Sequence, residues 1–347
     1  IMTSLLETEI HEQPQAFARL LDGERANVAR LAARLKALDI SYVTIAARGT
    51  SDNAGIYAKY LFASALGLPV AMATPSLYTL YRKPPRLRNT LVIGISQSGE
   101  SIDILAVLEE ARRQGAPTLA IVNVEDSSMA RAAEHVIPLH AGPEKAVAAT
   151  KSYTTSLGAL AMLAVAMGGD GLAEADLLAM PGHIETALKT DAVATAIAED
   201  LREVDDVVVV GRGFNYCSAY ELAIKMKELT YTHAEPYSSA DFLHGPIAIL
   251  DERYRVIAIA PSGPLQANQI EFIHRAQARG GRVIAISDNP DILAAAGERL
   301  RLPAGMPEWV SPIAAIVPGQ LLALRLTEAR GYSTDAPRGL TKVTKTL

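Results

Sequence analysis

Residues 42–47 read YVTIAA and residues 90–95 read TLVIGI. Neither run alternates apolar with polar positions, and TLAIVN (118–123) and HVIPL (135–139) behave the same way. Between them the apolar spacing lengthens to that of helices, over NAGIYAKYLFASAL (53–66), SIDILAVLEEARRQG (101–115) and ATKSYTTSLGALAMLAVAM (149–167). Strands without a polar face are buried on both sides, which parallel pairing with crossover helices produces. The pattern predicts an α/β layered domain.

The second half repeats the theme. VVVVGRG (207–213) parallels TIAARGT (44–50), RVIAIAPSGP (255–264) parallels LVIGISQSGE (91–100), and GGRVIAISDNP (280–290) parallels GAPTLAIVNVE (115–125). Arg48-Gly49 and Arg212-Gly213 stand 164 positions apart, as do Ser98-Gly99 and Ser262-Gly263. A nearly constant offset at independent motifs indicates a tandem duplication. The expected layout is an N-terminal helical segment (1–24), a first α/β domain (25–168), a helical connector (169–200), a second α/β domain (201–330) and a polar tail (331–347). The tail, GYSTDAPRGLTKVTKTL, is expected to be irregular, and its composition alone suggests disorder.

Composition narrows the function classes. The 347 residues are 49% apolar, enough for cores of two ordinary domains, and the formal net charge is −5. An acidic chain does not attract a phosphodiester backbone by bulk charge, so no nucleic-acid partner is expected. The single cysteine, Cys217, excludes a disulfide framework and a cysteine zinc site within one chain, and fits a reducing, cytoplasmic setting. No cluster of His, Asp and Cys stands at metal-ligand spacing, and no metal or cofactor is expected. The N-terminal residues lack a signal-peptide core. No apolar run reaches the ~20 residues that span a bilayer, so no membrane partner is expected and SLGALAMLAVAMGG reads as a buried helix.

Ligands of open α/β sheets sit beyond the carboxyl ends of the strands. Two hydroxyl-rich loops of the first domain fall there, RGTSDNAG (48–55) and SQSGES (96–101), each opening a helix. A helix start offers unpaired N–H groups and partial positive charge, and hydroxyls add donors. A third cluster, AATKSYTT (148–155), also opens a helix. Helix capping explains any one of them: Ser51, Asp52 and Ser101 are ordinary cap residues, and Gly49 and Gly99 ordinary turn residues. Three together indicate a phosphate pocket without a Walker lysine, and neither loop matches the dinucleotide fingerprint G-x-G-x-x-G. The duplicate loop, APSGPL, keeps the Ser-Gly turn but has Pro261 and Pro264 where hydroxyls stood. The second domain instead carries ionisable groups. Glu221, Lys225 and Glu228 share one helix face, a spacing that surface ion pairs also give. His244 lies in FLHGP, where a structural role is the ordinary one, and His233 is assigned no role.

The segments ARGTSDNAG, SQSGES, AVAATKSYTTS, ELAIKMKELTYTHAEPYSSADFLHGP and DAPRGLTKVTKTL resemble the tandem sugar isomerase (SIS) domains of glucosamine-6-phosphate synthase, and more closely the free-standing SIS-type glucosamine-6-phosphate deaminases. The resemblance runs from EIHEQP (9–14) to Leu347. It implies two tandem SIS domains, each a three-layer αβα sandwich with a mainly parallel, flavodoxin-like sheet, and a phosphorylated amino sugar as substrate. Ser51, Ser96, Gln97, Ser98 and Ser101 would hold the phosphate with backbone help from Thr50 and Gly99, and Val147 and Ala148 would line the sugar. Glu228 would move the proton between C1 and C2, supported by Glu221 and Lys225. His244, supplied across a homodimer interface, would assist ring opening, and Lys342 would reach C1 and C2 as the tail folds over the site.

Those residue types suit aldose–ketose chemistry: a carboxylate shuttles a proton between adjacent carbons, a histidine opens the ring, and a lysine stabilises an anion or forms an imine. Two departures stand out. The chain begins within the linker that precedes the isomerase half, so it is expected to lack a glutaminase domain. Arg48 replaces the synthase's cysteine before Gly-Thr-Ser, and Ala149 replaces a serine. The expectation is a deaminase that converts glucosamine 6-phosphate to fructose 6-phosphate and ammonia. Its rivals are a fructosamine-phosphate deglycase, an isomerase-only enzyme, a galactosamine-phosphate deaminase and, in another class, a non-catalytic phosphosugar sensor.

Overall fold

Val43, Ile45, Leu91, Ile93, Leu119 and Ile121 are inaccessible, and so are the residues on the opposite strand faces, Thr44, Val92 and Ala120. The runs without polar alternation therefore form strands covered on both sides. In the computed structural model, which describes residues 3–342, strands β1 (Tyr42–Ala46), β2 (Val70–Met72), β3 (Thr90–Ser96), β4 (Thr118–Val122) and β5 (His135–Pro138) form one sheet in the order β2-β1-β3-β4-β5. Strands β6 (Asp206–Gly211), β7 (His233–Ser238), β8 (Arg255–Ile259), β9 (Arg282–Ser287) and β10 (Glu298–Arg301) form a second, in the order β10-β9-β8-β6-β7. Every pairing in both sheets is parallel. Counting β6 as the first strand of its own sheet, both have the order 2-1-3-4-5. The repeat read from the sequence is a repeat of topology, and each sheet reverses direction of winding between its first and third strands.

Three strands lie outside the runs read as strands from the sequence. β2 is only three residues long, β7 and β10 carry polar residues such as Glu235 and Arg299, and all three lie at sheet edges, where polar side chains discourage pairing with other chains.

The helices are α1 (Leu5–His11), α2 (Gln13–Lys36), α3 (Thr50–Leu66), α4 (Ser76–Thr79), α5 (Ile102–Arg113), α6 (Ser128–Ala132), α7 (Lys151–Ala166), α8 (Glu174–Leu188), α9 (Asp191–Asp200), α10 (Tyr216–Lys225), α11 (Ser239–Leu243), α12 (Gln266–Gln277), α13 (Pro290–Ala295) and α14 (Ser311–Ala329). The chain divides into two compact units. One holds the first sheet, with Gln15–Glu144, Lys151–Leu178 and the tail from Thr341; the other holds the second sheet, with the residues up to Pro14, Lys145–Thr150 and Ala179–Leu340.

In the first-sheet unit, Ile104, Val107 and Leu108 of α5 and Met129 of α6 pack on Val92, Ala120 and Val122. Helix α7 is buried on nearly every face, as its Ala- and Gly-rich sequence predicted. Among the described residues no helix is long and apolar enough to cross a membrane. In the second-sheet unit, Phe242 and Phe272 pack on Val208, Val256 and Ala285. There Asp335 of the tail accepts hydrogen bonds from Leu5 N (3.0 Å) and Leu6 N (3.1 Å) at the start of α1. Up to Lys342 the tail is irregular as expected but tied down, which corrects the reading of disorder from composition for those residues. Residues 343–347 lie outside the described residues.

The loop between β3 and α5 turns at Gly99, with φ +67°, and a Cβ there would collide with Ser127. Gly99→Ala is expected to destabilise the protein by about 1–3 kcal/mol, measurable by denaturant unfolding, because both strain and collision act at one residue.

Candidate active site

The two hydroxyl-rich loops flank the winding reversal of the first sheet. Beyond β1 the chain passes through Arg48, turns at Gly49 (φ +55°) and enters α3 at Thr50 and Ser51. Beyond β3 it passes through Gln97, Ser98, Gly99 and Glu100 to Ser101, the N-cap of α5. Ser101 occupies the cap position, yet its hydroxyl bonds no first-turn N–H, and the cap position of α3 is taken by Gly49 rather than by Ser51. The capping explanation thus fails for both: Ser51 lies in the first turn of α3, and the Ser101 hydroxyl faces Ser96 Oγ instead of a first-turn N–H.

The other serines have structural partners. Ser96 Oγ accepts from Gly99 N (3.1 Å), Ser98 Oγ accepts from Glu100 N (3.3 Å), and the Ser96 and Ser101 hydroxyls lie 3.5 Å apart. Glu100 braces the loop from outside, accepting from Ser128 N (2.9 Å) and Ser128 Oγ (2.8 Å). The loop is therefore fixed before any ligand arrives, which reduces the entropy lost on binding. Arg48 Nε donates to Asp103 Oδ2 at 2.7 Å, linking the two loops. Burial raises the Asp52 carboxyl above the ordinary carboxylate range, and the charges of Arg48 and Lys59 partly offset it.

In the same unit Lys342 Nζ donates to Glu144 Oε2 at 3.1 Å. The Glu144 side chain is fully buried and also accepts from Ser152 N (3.0 Å) and Ser152 Oγ (2.7 Å) at the start of α7. Glu144 was not singled out from the sequence. Its only signal is a carboxylate placed just before the third hydroxyl cluster.

The second-sheet unit holds the ionisable group. After Lys225 the helix widens into a π-turn over Met226–Thr230, a form often found at functional sites. Lys225 Nζ lies 2.7 Å from Glu228 Oε2 and 3.5 Å from Glu221 Oε1. Lys225 and Glu221 are fully buried, whereas the Glu228 side chain is 25% exposed. The three residues read as one face do form one charge cluster, and only Glu228 opens to solvent. The π-turn ends at Tyr231, a non-glycine residue with φ +59°. The Arg338 guanidinium stacks 3.8 Å from the Tyr231 ring centroid, and Arg338 N donates to Tyr231 Oη (2.9 Å). Arg330 Nη1 donates to Thr230 O at 2.7 Å. His244 is exposed at the C-cap of α11 and forms no hydrogen bond or ion pair with the cluster. Val147 is half-buried and Ala148 buried, in a segment whose Ala146 N donates to Glu9 Oε2 at 3.2 Å. Among the described residues no group of three or more His, Cys, Asp or Glu is arranged to hold a metal ion.

The second sheet's own reversal, between β6 and β8, has a different character. A Cβ on Gly213 or Gly263 would come within 3.2 or 2.9 Å of the Glu308 carboxylate, which therefore lies against both turns. A resident carboxylate repels an anion where the first sheet offers hydroxyls. Burial raises the Glu308 carboxyl above its ordinary range. A raised carboxyl favours folding while protonated, and its ionisation costs stability as pH rises from the ordinary carboxylate range through the folded value. Glu308→Gln is therefore expected to raise the melting temperature at pH 7, with the gain vanishing near pH 4 in thermal melts.

Three comparisons bear on this architecture. The family model of the SIS domain matches residues 22–166 and 200–327. An isomerizing glutamine–fructose-6-phosphate aminotransferase of Thermus thermophilus is 38% identical over 348 residues, covering 96% of this chain and 57% of that protein. The chain thus spans little more than half the length of that relative. Among solved structures, the C-terminal domain of glucosamine-fructose-6-phosphate aminotransferase from Francisella tularensis superposes with a TM-score of 0.88 at 29% identity, covering 97% of this chain and 99% of that one. Glucosamine-6-phosphate deaminase from Thermotoga maritima superposes with a TM-score of 0.80 at 22% identity, covering 99% and 100%, a likeness of fold.

Proposed function

The chain belongs to the SIS domain family, and from that premise we propose that it is a phosphosugar isomerase that acts as an aminosugar-phosphate deaminase, turning glucosamine 6-phosphate and water into fructose 6-phosphate and ammonia. The observation that carries this reading is the braced carboxylate: Glu228 on a π-turn, held at 2.7 Å by the buried Lys225 and open to solvent.

The phosphate binds at the first sheet's reversal, to the Ser51, Ser96, Gln97, Ser98 and Ser101 side chains and the Thr50 and Gly99 backbone. Val147 and Ala148 line the sugar. His244 of a partner subunit moves the proton that opens the pyranose ring. Glu228 takes the proton from C2 and returns it at C1, which turns the aldose amine into a C2 imine. Water adds to that imine, the C–N bond breaks and ammonia leaves. Lys342 stabilises the anion that forms between the two proton transfers. Glu221 and Lys225 act through Glu228 and hold its orientation.

Ammonia release from glucosamine 6-phosphate, measured by a coupled assay, tests the reading. Glu228→Gln is expected to lower kcat about 10²–10⁴-fold with KM little changed, because a positioned acid–base group contributes on that scale. Release no faster than in Glu228→Gln would sink the deaminase reading. The identity to the aminotransferases favours a second reading, in which the chain supplies only isomerisation; turnover of phosphosugars without ammonia, in a panel of aldose and amino-sugar phosphates, distinguishes it. Mixing inactive Glu228→Gln and His244→Ala chains is expected to restore about a quarter of wild-type activity, since half the chains pair as heterodimers with one intact site each. No recovery would mean that His244 acts within its own chain.

A further inference from the structure

We infer that Arg48 is a further phosphate-binding residue, the cationic arm of the crevice between β1 and β3, fixed by Asp103 and reaching the ligand through its two Nη groups. The inference rests on the reading of the two loops as the phosphate site. That crevice offers hydroxyls and backbone N–H groups but no lysine within either loop. A phosphomonoester carries close to two negative charges at pH 7, and charge-assisted bonds hold it roughly twice as strongly as neutral ones.

Arg48 leaves the end of β1 and meets Asp103 in the first turn of α5, so its side chain crosses from one loop to the start of the other's helix. The Asp103 side chain is 1% exposed and its second oxygen accepts from Ile104 N at 2.9 Å, which makes it a rigid anchor. The Arg48 side chain is 53% exposed.

The mode of pairing separates a ligand arm from a simple staple. Three arginines elsewhere in the chain clamp a carboxylate with two prongs, although Arg275 meets Glu271 through Nη2 alone. Arg113 uses Nε and Nη2 on Glu110, Arg253 uses Nε and Nη2 on Asp251, and Arg325 uses Nε and Nη2 on Asp191. Arg48 engages Asp103 through Nε alone, and its Nη groups form no hydrogen bond among the described residues. A guanidinium held at its base with its fork open is pre-organised for two oxygens of one anion. The duplicate shows the converse. Arg212 stands at the position matching Arg48, but Ala267 stands at the position matching Asp103, and the Glu308 carboxylate lies against the turns. The anchored arginine occurs only in the copy that carries the hydroxyl loop.

The test titrates inorganic phosphate into the full chain by calorimetry, with melting temperatures recorded for each variant. Arg48→Met is expected to bind phosphate roughly 10–100-fold more weakly with little change in melting temperature, as the loss of a charge-assisted pair implies. Arg48→Lys should fall between Met and wild type, and should show the effect even if Arg48→Met folds poorly. Asp103→Asn should bind with near-wild-type affinity, because the amide oxygen can still accept from Arg48 Nε and hold the arm while a competing negative charge is removed. In turnover, Arg48→Met should raise KM for the phosphosugar more than it lowers kcat. Wild-type phosphate affinity in both Arg48 variants overturns the inference, and so does an equal loss in Arg48→Met and Asp103→Asn accompanied by lower melting temperatures, the mark of a staple. A wild-type chain that binds no phosphate, or whose binding is indifferent to Ser96→Ala and Ser98→Ala, overturns the phosphate-site reading itself.

Discussion

All-parallel pairing is the constraint on which the other features depend. A parallel sheet needs crossover helices on both faces, so its strands have no exposed polar side and its chemistry is displaced to the strand ends. At the carboxyl ends each strand turns into the start of a helix, where backbone N–H groups lack partners. With the order 2-1-3-4-5, the first and third strands send their helices to opposite faces, and a crevice opens between the two loops. The place of Ser51, Ser96, Ser98 and Ser101 at the rim of that crevice follows from where their strands end.

The same frame, used twice, yields two different edges. In the first sheet the crevice holds hydroxyls, an anchored guanidinium and a loop braced by Glu100. In the second it holds a half-buried carboxylate. The backbone topology is equal in both, so side chains alone set the different chemistry of the two edges. The second unit is left to specialise in a charge cluster. Lys225 and Glu221 lie fully buried, an arrangement that contributes little net stability because desolvation offsets the attraction. What such a pair does supply is orientation: the ammonium holds Glu228 at 2.7 Å while that carboxylate stays reachable from solvent.

The tail shows how little composition says about order when specific partners exist. Thr, Lys, Gly and Pro dominate it, and among its described residues, 331–342, there is no helix or strand. Yet Asp335 caps α1, Arg338 stacks on Tyr231 beside the π-turn, and Lys342 pairs with the buried Glu144. Each partner lies more than a hundred residues away along the chain, so no local pattern could reveal it.

The apolar runs, their constant offset and the hydroxyl-bearing turns determined by themselves the layered α/β class, the duplication and the loops at the carboxyl ends of the strands, because burial on both faces and helix starts leave local traces. The edge strands β2, β7 and β10 were not legible: β2 is a three-residue run, and β7 and β10 interleave charged or polar residues with apolar ones. Whether Ser101 caps its helix, whether Arg48 finds Asp103, and whether Glu228 continues an α-helix or sits on a π-turn were settled only by tertiary structure. These are choices between partners of similar chemistry, and which partner is within 3 Å depends on how distant segments pack.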